Sequence, residues 1–305
     1  MDNSSIKRTA LMSAYLRAHH AIHAEPKIFD DFMAPRLLTE EDLAAFDHGM
    51  VAGLSKIDPR RAAESPDPAM AVASMVQLYF PTSLFLSRSR YTEDHLEEAI
   101  RQGVTQYVIL GAGMDTFALR NAGRYPQTQI FEIDHPATQD FKRKRLAELE
   151  LDIPSNLHFV PVDFTIHPLD KELAHTVYDP QAPTFFSWLG VVHYLPLDKV
   201  FATFRTISKI SPAGSRIIFD YWDKKAFNSE TAAHRVNLML GMLRQAGEPM
   251  VTGMDPTALA SELEPAGLRM VEQLSPADIQ ESYFQNRSDD YYAYEHAYFV
   301  KAEVI

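Results

Sequence analysis

The chain has 305 residues, 46% of them hydrophobic and 23% charged, which is typical of a globular protein with one core domain and additions. Its net charge of −12 argues against nucleic acid and anionic membranes as partners, because phosphate groups are bound mostly by lysine and arginine. It contains no cysteine, which excludes disulfides and thiolate metal sites and favours a cytoplasmic location.

Residues 1–105 are predicted to form a helical N-terminal cap or lid that packs on the core. An amphipathic pattern predicts a helix over residues 6–22. The apolar stretch at its centre, residues 10–16, is too short for a signal peptide or a membrane span. Proline-containing breaks then separate two further helices, predicted over residues 69–79 and 83–101.

Residues 106–305 are predicted to form an α/β core, because strand-like and helical stretches alternate as in a doubly wound, mostly parallel sheet. The predicted strands cover residues 107–110, 129–133, 157–162, 184–188, 216–221, 269–273 and 292–301. The predicted helices cover residues 115–121, 136–149 and 197–210, followed by a helical insertion around 224–265 with helices over 229–246 and near 255. On the last strand, the side chains expected to share one face are Tyr292, Tyr294, His296 and Tyr298.

The first predicted strand breaks into a glycine turn, Gly111-Ala112-Gly113, that leads into a helix. This arrangement presents backbone N–H groups to a nucleotide-like ligand. A dinucleotide site would need a third glycine where Thr116 stands, and Asp115 would repel a pyrophosphate. A cationic adenosine derivative without phosphate avoids both problems, and S-adenosyl-L-methionine is such a ligand.

Several motifs in chain order resemble those of the leucine carboxyl methyltransferase family, which includes bacterial polyketide O-methyltransferases of the tetracenomycin type. They are the glycine turn, a basic motif over residues 6–10, an arginine motif over 86–91, the acidic strand end over 131–136, an adenine motif over 160–164 and a loop over 187–195. The resemblance covers residues 4–300 and implies a class I methyltransferase fold, whose seven-stranded sheet has an antiparallel C-terminal strand. It also implies S-adenosyl-L-methionine as the methyl donor. Protein-modifying eukaryotic members carry a glutamate where Leu189 stands, so the resemblance points to the small-molecule branch.

Several residues are predicted to bind the donor. Asp134 ends the second predicted strand, where a carboxylate can accept hydrogen bonds from both ribose hydroxyls; the alternative is an N-cap for the following helix. Gly111 and Gly113 permit close approach of the amino-acid end of the donor. The resemblance implies that Asp163 binds the adenine amino group and that Phe164 supplies an N–H and an apolar face, with a turn aspartate as the alternative.

The donor carboxylate requires a cation, and a bidentate guanidinium is the strongest partner. The candidates are Lys7, Arg8, Arg88 and Arg90, of which the resemblance favours Arg88 and Lys7. The resemblance also places Ser187 in the cofactor-binding loop. Asp115 can face the sulfonium or cap the following helix, and capping is favoured.

Methyl transfer is an in-line displacement, so the protein mainly aligns the reactants and excludes water. A hydroxyl acceptor needs a base, whereas a carboxylate does not. His193 is the catalytic candidate, since it follows the fourth predicted strand, although it could equally be a hydrogen-bonded histidine at a helix start. Tyr194, the other catalytic candidate, is expected either to contact the donor or to pack against its neighbours. His19 and His23 have i,i+4 spacing, but no metal site is expected because no further ligand accompanies them.

The sequence thus predicts an S-adenosyl-L-methionine-dependent methyltransferase of secondary metabolism that modifies a small molecule at oxygen. Three alternatives stay open: an S- or N-methyltransferase, a nicotinamide-dependent oxidoreductase, and a domain that binds the donor without turnover. The acceptor is predicted to lie against the methionine-rich residues 238–243 or the tyrosines Tyr291, Tyr292, Tyr294 and Tyr298, unless these only pack in the core. No nucleic-acid or membrane partner is expected, and the chain is expected to be a monomer or homodimer.

Overall fold

The computed structural model describes residues 3–164 and 166–305, without the side chains of residues 3–8. Its strands are β1 (Gln106–Leu110), β2 (Gln129–Asp134), β3 (Leu157–Pro161), β4 (Thr184–Trp188), β5 (Arg216–Trp222), β6 (Leu268–Leu274) and β7 (Ala297–Val304). They form one seven-stranded sheet in the order β3-β2-β1-β4-β5-β7-β6. β1 to β5 pair in parallel, and β7 runs antiparallel between β5 and β6. The predicted doubly wound sheet with an antiparallel C-terminal strand is confirmed.

The central strands are apolar throughout because both faces of the sheet are covered. In β1, Tyr107 and Ile109 belong to one buried cluster, while Val108 and Leu110 belong to a second cluster on the opposite face. This alternation is what the two-residue period of a strand requires when helices cover both faces. The strand ends that carry the polar residues are therefore the places where the sheet can meet a ligand.

The helices are α1 (Asn3–His23), α2 (Glu40–Ile57), α3 (Pro59–Glu64), α4 (Pro68–Ser74), α5 (Thr82–Arg101), α6 (Phe117–Arg120), α7 (Pro136–Glu148), α8 (Leu169–Ala174), α9 (Leu197–Ile210), α10 (His234–Gln245), α11 (Leu259–Leu263) and α12 (Pro276–Tyr283). A π-helical turn, Met75–Tyr79, joins α4 to the segment before α5. Among the described residues, no single helix has the length and apolar character of a membrane span; the pair Pro68–Tyr79 and Thr82–Arg101, bent by 62°, meets the same criteria together.

The final strand begins later than predicted, at Ala297 rather than at Tyr292. The backbone at His296 has a φ of 67°, in the left-handed region, which interrupts an extended strand. The preceding tyrosines contact α10: the guanidinium of Arg235 lies 3.6 Å from the ring centre of Tyr292 and 4.1 Å from that of Tyr294. The ring of Tyr294 also packs edge-on against Trp222 of β5. The predicted tyrosine face on this strand is therefore wrong, because cation–π packing holds these residues outside the ladder.

A buried carboxylate, Asp31, connects the N-terminal helices to the segment that follows the glycine turn. Its Oδ2 lies 2.5 Å from Nη1 of Arg17 on α1. Its Oδ1 accepts from the hydroxyl of Thr116 at 2.7 Å and lies 3.3 Å from Nε of Arg120 on α6. Because Asp31 is fully buried, removing it would leave the buried guanidinium of Arg17 without its counter-ion, whereas Arg120 would keep its ion pair with Glu93.

We expect Asp31→Ala to lower the free energy of unfolding by about 3–5 kcal/mol, the usual cost of breaking a buried ion pair from one side. Urea denaturation at pH 7 measures the change. The neighbouring Asp30→Ala is the control, because Asp30 is about half exposed and pairs only with Lys27 at 3.1 Å. An exposed pair of this kind contributes at most about 1 kcal/mol. Equal losses in the two variants would contradict the role given to Asp31.

Candidate active site at the carboxyl edge of the sheet

A cavity of about 790 Å³ lies at the carboxyl ends of β1, β2, β3 and β4. Its walls come from the glycine turn, from α1 and α5 on the N-terminal side, and from the residues on and after α10. The volume lies within the range of roughly 300–1,000 Å³ that small-molecule sites occupy. The edge is the one where parallel sheets collect ligands, because the strand ends and helix starts meet there.

The glycine turn is anchored to the neighbouring strand. The N–H groups of Gly111 and Ala112 both donate to the carbonyl of Ile133, at 2.8 and 3.0 Å. Gly111 has a φ of 75°, and a Cβ atom at this position would overlap the side chain of Val191. At Gly113, with a φ of 51°, a Cβ would meet nothing within 4 Å, so this backbone faces open space in the cavity wall. Glycine is therefore required at the first position for packing, and at the second it leaves room for a ligand.

Asp134 lies on the cavity wall at the end of β2 and accepts from the glycine turn. Its Oδ2 accepts from the N–H of Gly113, and its Oδ1 accepts from the N–H of His135 at 2.6 Å. Burial raises the pKa of Asp134, and the two N–H groups oppose that rise. The N-cap alternative is wrong, because α7 is capped by Nδ1 of His135, which accepts from the N–H of Ala137 at 3.2 Å. The carboxylate keeps lone pairs that can accept from ribose hydroxyls.

The residues predicted for the adenine side, Asp163 and Phe164, line the same cavity after β3. Oδ2 of Asp163 lies 3.8 Å from Nε2 of His135. The ring of Phe164 lies 6.2 Å from that of Trp188 and packs against the buried cluster of the sheet. The structure thus brings Asp134, Asp163 and Phe164 to one wall, and their contacts with the donor stay a prediction.

Two arginines line the cavity among the residues whose side chains are described. Arg17 has its donors directed to protein acceptors, since Nη1 bonds Asp31 and Nη2 donates to the carbonyl of Met114 at 2.7 Å. Arg88 makes a hydrogen bond from Nη1 to Asp220 at 3.0 Å, which leaves most of its five N–H groups for a ligand. Of these two arginines, Arg88 is therefore the better placed for the donor carboxylate, and this contact stays a prediction.

The structure distinguishes the other cation candidates. Arg90 is exposed outside the cavity wall, and its Nε donates to the carboxylate of Asp94 at 2.7 and 2.9 Å. Arg90 follows Arg88 by two residues on α5, which rotates its side chain by about 200° around the helix, so it points away from the cavity. The side chains of Lys7 and Arg8 lie outside the described residues, so these two predictions are not examined by the structure.

His193 and Tyr194 lie on a short 3₁₀ turn after β4, and both line the cavity. Burial lowers the pKa of His193 to about 4, so the ring is neutral at pH 7. Its Nδ1 is buried and has no hydrogen-bond partner among the described residues. The alternative of a histidine satisfied at a helix start therefore lacks support, because only the carbonyl of His193 is used, accepting from Val251 and Thr252 at 2.8 and 3.1 Å.

Ser187 does not line the cavity, and its assignment to the cofactor site is corrected. It lies within β4 and is almost fully buried, with Oγ 2.9 Å from the hydroxyl of Tyr107 on the neighbouring strand. Its side chain therefore bridges two strands inside the sheet. Asp115, by contrast, lines the cavity and accepts from the N–H of Phe117 at 2.7 Å. The N-cap residue of α6 is Thr116, so Asp115 is not the helix cap that the sequence favoured.

The cavity residues that were not predicted from the sequence include Arg17, Trp222 and Glu248. Glu248 follows α10 and accepts from the hydroxyl of Thr9 on α1 at 2.6 Å, so two distant segments meet across the cavity. In the sequence, the only noticeable feature of Arg17 is that its charge ends the apolar stretch over residues 10–16. A carboxylate within the apolar strand β5, Asp220, was a usable signal, because an unpaired charge is rarely placed in a buried strand.

The sheet order, the glycine turn and the cavity at the carboxyl edge define a class I methyltransferase. The chain belongs to the leucine carboxyl methyltransferase family, whose model matches residues 10–208. It is 36% identical to YktD of Bacillus subtilis (strain 168), over 99% of both chains, and 28% identical to a protein of Parafrankia sp. (strain EAN1pec), over 77% of this chain and 69% of that protein. Both relatives are named for S-adenosyl-L-methionine-dependent methyl transfer.

A solved structure of a DUF574 family protein from Streptomyces avermitilis MA-4680 has the same fold, with a TM-score of 0.55 at 14% identity, over 96% of this chain and 97% of that one. The family match and the named relatives show that the present chain is an S-adenosyl-L-methionine-dependent methyltransferase. The cavity fits this donor, because it offers open backbone at Gly113, the carboxylate of Asp134 and the guanidinium of Arg88.

We expect Asp134→Ala to weaken binding of S-adenosyl-L-methionine by about 1–3 kcal/mol, because a charge-assisted acceptor for the ribose is lost. Isothermal titration calorimetry on the purified protein measures the change. Asp140→Ala, an exposed carboxylate on α7, is the matched control and should bind as the wild type does. An unchanged affinity in Asp134→Ala would remove Asp134 from the donor site.

Proposed function

We propose that the enzyme methylates an oxygen atom of a small, largely apolar molecule, in secondary metabolism. The observation that carries the proposal is the composition of the cavity wall beyond the donor residues. This wall is built from flexible apolar side chains of α10 and the segment after it, namely Met239, Met242, Leu243 and Met250. Methionine adapts to irregular apolar shapes, so such a wall suits an organic acceptor better than a polar peptide terminus.

The loop after β4 supports the same acceptor class. Leu189 lines the cavity at the position where, by the resemblance described above, protein-modifying members carry a glutamate. An apolar side chain there removes a charged contact for a peptide and extends the apolar wall. The four tyrosines Tyr291, Tyr292, Tyr294 and Tyr298 do not line the cavity, so the proposed acceptor contacts lie on the methionine side alone.

The chemistry proposed for the chain is alignment and proton removal. When bound, the donor supplies a methyl group already activated by its sulfonium. The cavity walls exclude water and hold the acceptor oxygen in line with that methyl group. If the acceptor is a hydroxyl, neutral His193 accepts its proton as the new C–O bond forms. A base with a low pKa is weak, so it suits an acidic hydroxyl better than an ordinary alcohol.

The proposal is tested by a mass-spectrometric screen of small phenols, enols, carboxylic acids, thiols and amines incubated with the enzyme and donor. A gain of one methyl mass on oxygen acceptors supports the proposal. Methylation of thiols or amines alone would show that the nucleophile is not oxygen, and methylation of a protein carboxyl terminus alone would show that the acceptor class is wrong.

His193 should give an unusual pH profile. Because its pKa is lowered to about 4, we expect kcat/KM for a hydroxyl acceptor to be flat from pH 6 to 8, without the step near pH 6.5 of an ordinary histidine. His193→Ala should lower kcat by about 10²–10⁴. His175→Ala, an exposed histidine outside the cavity, is the control. A full rate in His193→Ala would exclude the base role.

Enlarging a side chain on the methionine wall should separate acceptor binding from donor binding. We expect Met242→Trp to raise the KM of the acceptor at least about tenfold through overlap in the cavity, with an unchanged dissociation constant for the donor. Steady-state kinetics and calorimetry measure the two quantities. Met70→Trp, at a half-exposed position on α4, is the matched control. Equal KM values in all three proteins would place the acceptor elsewhere.

Two further assignments stay proposals. Residues 1–105 are proposed to act as the cap of the site and residues around 224–265 as the acceptor insertion, which the contact between Thr9 and Glu248 supports. The cytoplasmic location, the lack of nucleic-acid and membrane partners, and the monomer or homodimer state remain predictions from composition.

A further inference from the structure

Asp220 lies in β5 and is fully buried, and one strand, β4, separates β5 from the strand that leads into the glycine turn. Its two oxygens have different partners. Oδ2 accepts from Nη1 of Arg88 on α5 at 3.0 Å, and Oδ1 accepts from the N–H of Gly190 in the loop after β4 at 2.6 Å. One carboxylate therefore connects a helix, a strand and a loop that all border the cavity.

The guanidinium of Arg88 is held on three sides. Besides Asp220, the ring of Phe85 lies 4.7 Å from its central carbon, in a cation–π contact. Gly190 lies directly against it: a Cβ at this position would be 2.6 Å from Nη2 and 2.9 Å from Nη1. The side chain of Arg88 is 13% exposed, and Arg88 lines the cavity. Its remaining N–H groups are thus presented by a rigid support rather than by a free side chain.

We propose that Asp220 is a positioning residue, which orients Arg88 toward the carboxylate of the donor and fixes the loop that carries the acceptor-side residues. The inference rests on the donor site proposed above, in which Arg88 binds that carboxylate. If the salt bridge served stability alone, Arg88 would have no need to line the cavity or to keep N–H groups that are not bonded to Asp220. A lone guanidinium would lose rotamer freedom on binding the donor, and the support from Asp220 removes that cost.

The loop contact extends the effect of Asp220 to the acceptor side. Gly190 precedes the turn that carries His193 and Tyr194, and its φ of 72° allows the N–H to reach Oδ1. Burial lowers the pKa of His193, the charge of Asp220 opposes that effect, and the charge of Arg88 adds to it. Both members of the pair are therefore close enough to act on the candidate base.

The test compares two ligands that differ only at the amino-acid end. S-adenosyl-L-homocysteine carries the carboxylate, whereas 5′-methylthioadenosine has the same adenosine and thioether without it. We expect Asp220→Asn to weaken S-adenosyl-L-homocysteine about 10- to 100-fold and to leave 5′-methylthioadenosine at its wild-type affinity, because only the carboxylate contact is lost. Equal weakening of both ligands, or no weakening of either, would overturn the proposal.

Three further variants complete the comparison. Asp94→Asn removes the charge partner of an arginine on the same helix, outside the cavity, and should change neither affinity. Arg88→Gln should reproduce the selective loss, and the double variant Arg88→Gln with Asp220→Asn should bind S-adenosyl-L-homocysteine as Arg88→Gln does. A further loss in the double variant would show that Asp220 acts independently of Arg88 and would overturn the proposal.

If Asp220→Asn does not fold, Arg88→Lys answers the question in a protein that keeps both charges. An ammonium is a point charge that cannot reproduce the forked geometry between Asp220 and a ligand carboxylate, so the same selective loss is expected. Wild-type affinity for S-adenosyl-L-homocysteine in Arg88→Lys would overturn the proposal. Failure of the wild-type protein to bind either ligand would instead refute the donor site itself.

Discussion

The ion-pair cluster around Asp31 is the constraint on which the donor site depends. A buried carboxylate can remain charged only when cations and hydroxyls surround it, and here these come from α1, from the turn after Gly113 and from α6. Arg17 also donates to the carbonyl of Met114, so the helix that borders the cavity and the turn that lines it form one unit. The N-terminal helices therefore belong to the site as well as to its surroundings.

The charge distribution in the cavity explains why a cationic donor is accepted. Carboxylates from four segments line the wall, at Asp115, Asp134, Asp163 and Glu248, while the two described arginines each face a buried aspartate. In a partly enclosed space these interactions are screened less than in water. A sulfonium and an ammonium are favoured there, whereas a pyrophosphate would meet like charges. The same enclosure keeps His193 neutral, which leaves it able to accept a proton.

Local patterns were sufficient for most of the sheet and insufficient where long-range contacts compete. Apolar runs bounded by turns predicted β4 and α9 at their observed ends, because both elements are decided by burial of their own residues. The segment before β7 has strand-like alternation, yet Arg235 draws its tyrosines to α10. Ser187 was assigned to the site from its loop, whereas its hydroxyl bonds Tyr107 on the next strand. In both cases the contacting residue, Arg235 or Tyr107, lies far away in the sequence from the residue that it contacts.

The sequence by itself determined the class of fold, the donor and the strand ends that carry Asp134 and Asp163, since periodicity and glycine turns are local properties of the chain. Tertiary structure alone decided which of two neighbouring arginines lines the cavity, because Arg88 and Arg90 look alike in sequence and differ in their ion-pair partners, Asp220 beside the cavity for Arg88 and Asp94 on the surface for Arg90. It also decided that Thr9 and Glu248 meet. Such pairings join residues far apart in the chain, and no local pattern records them.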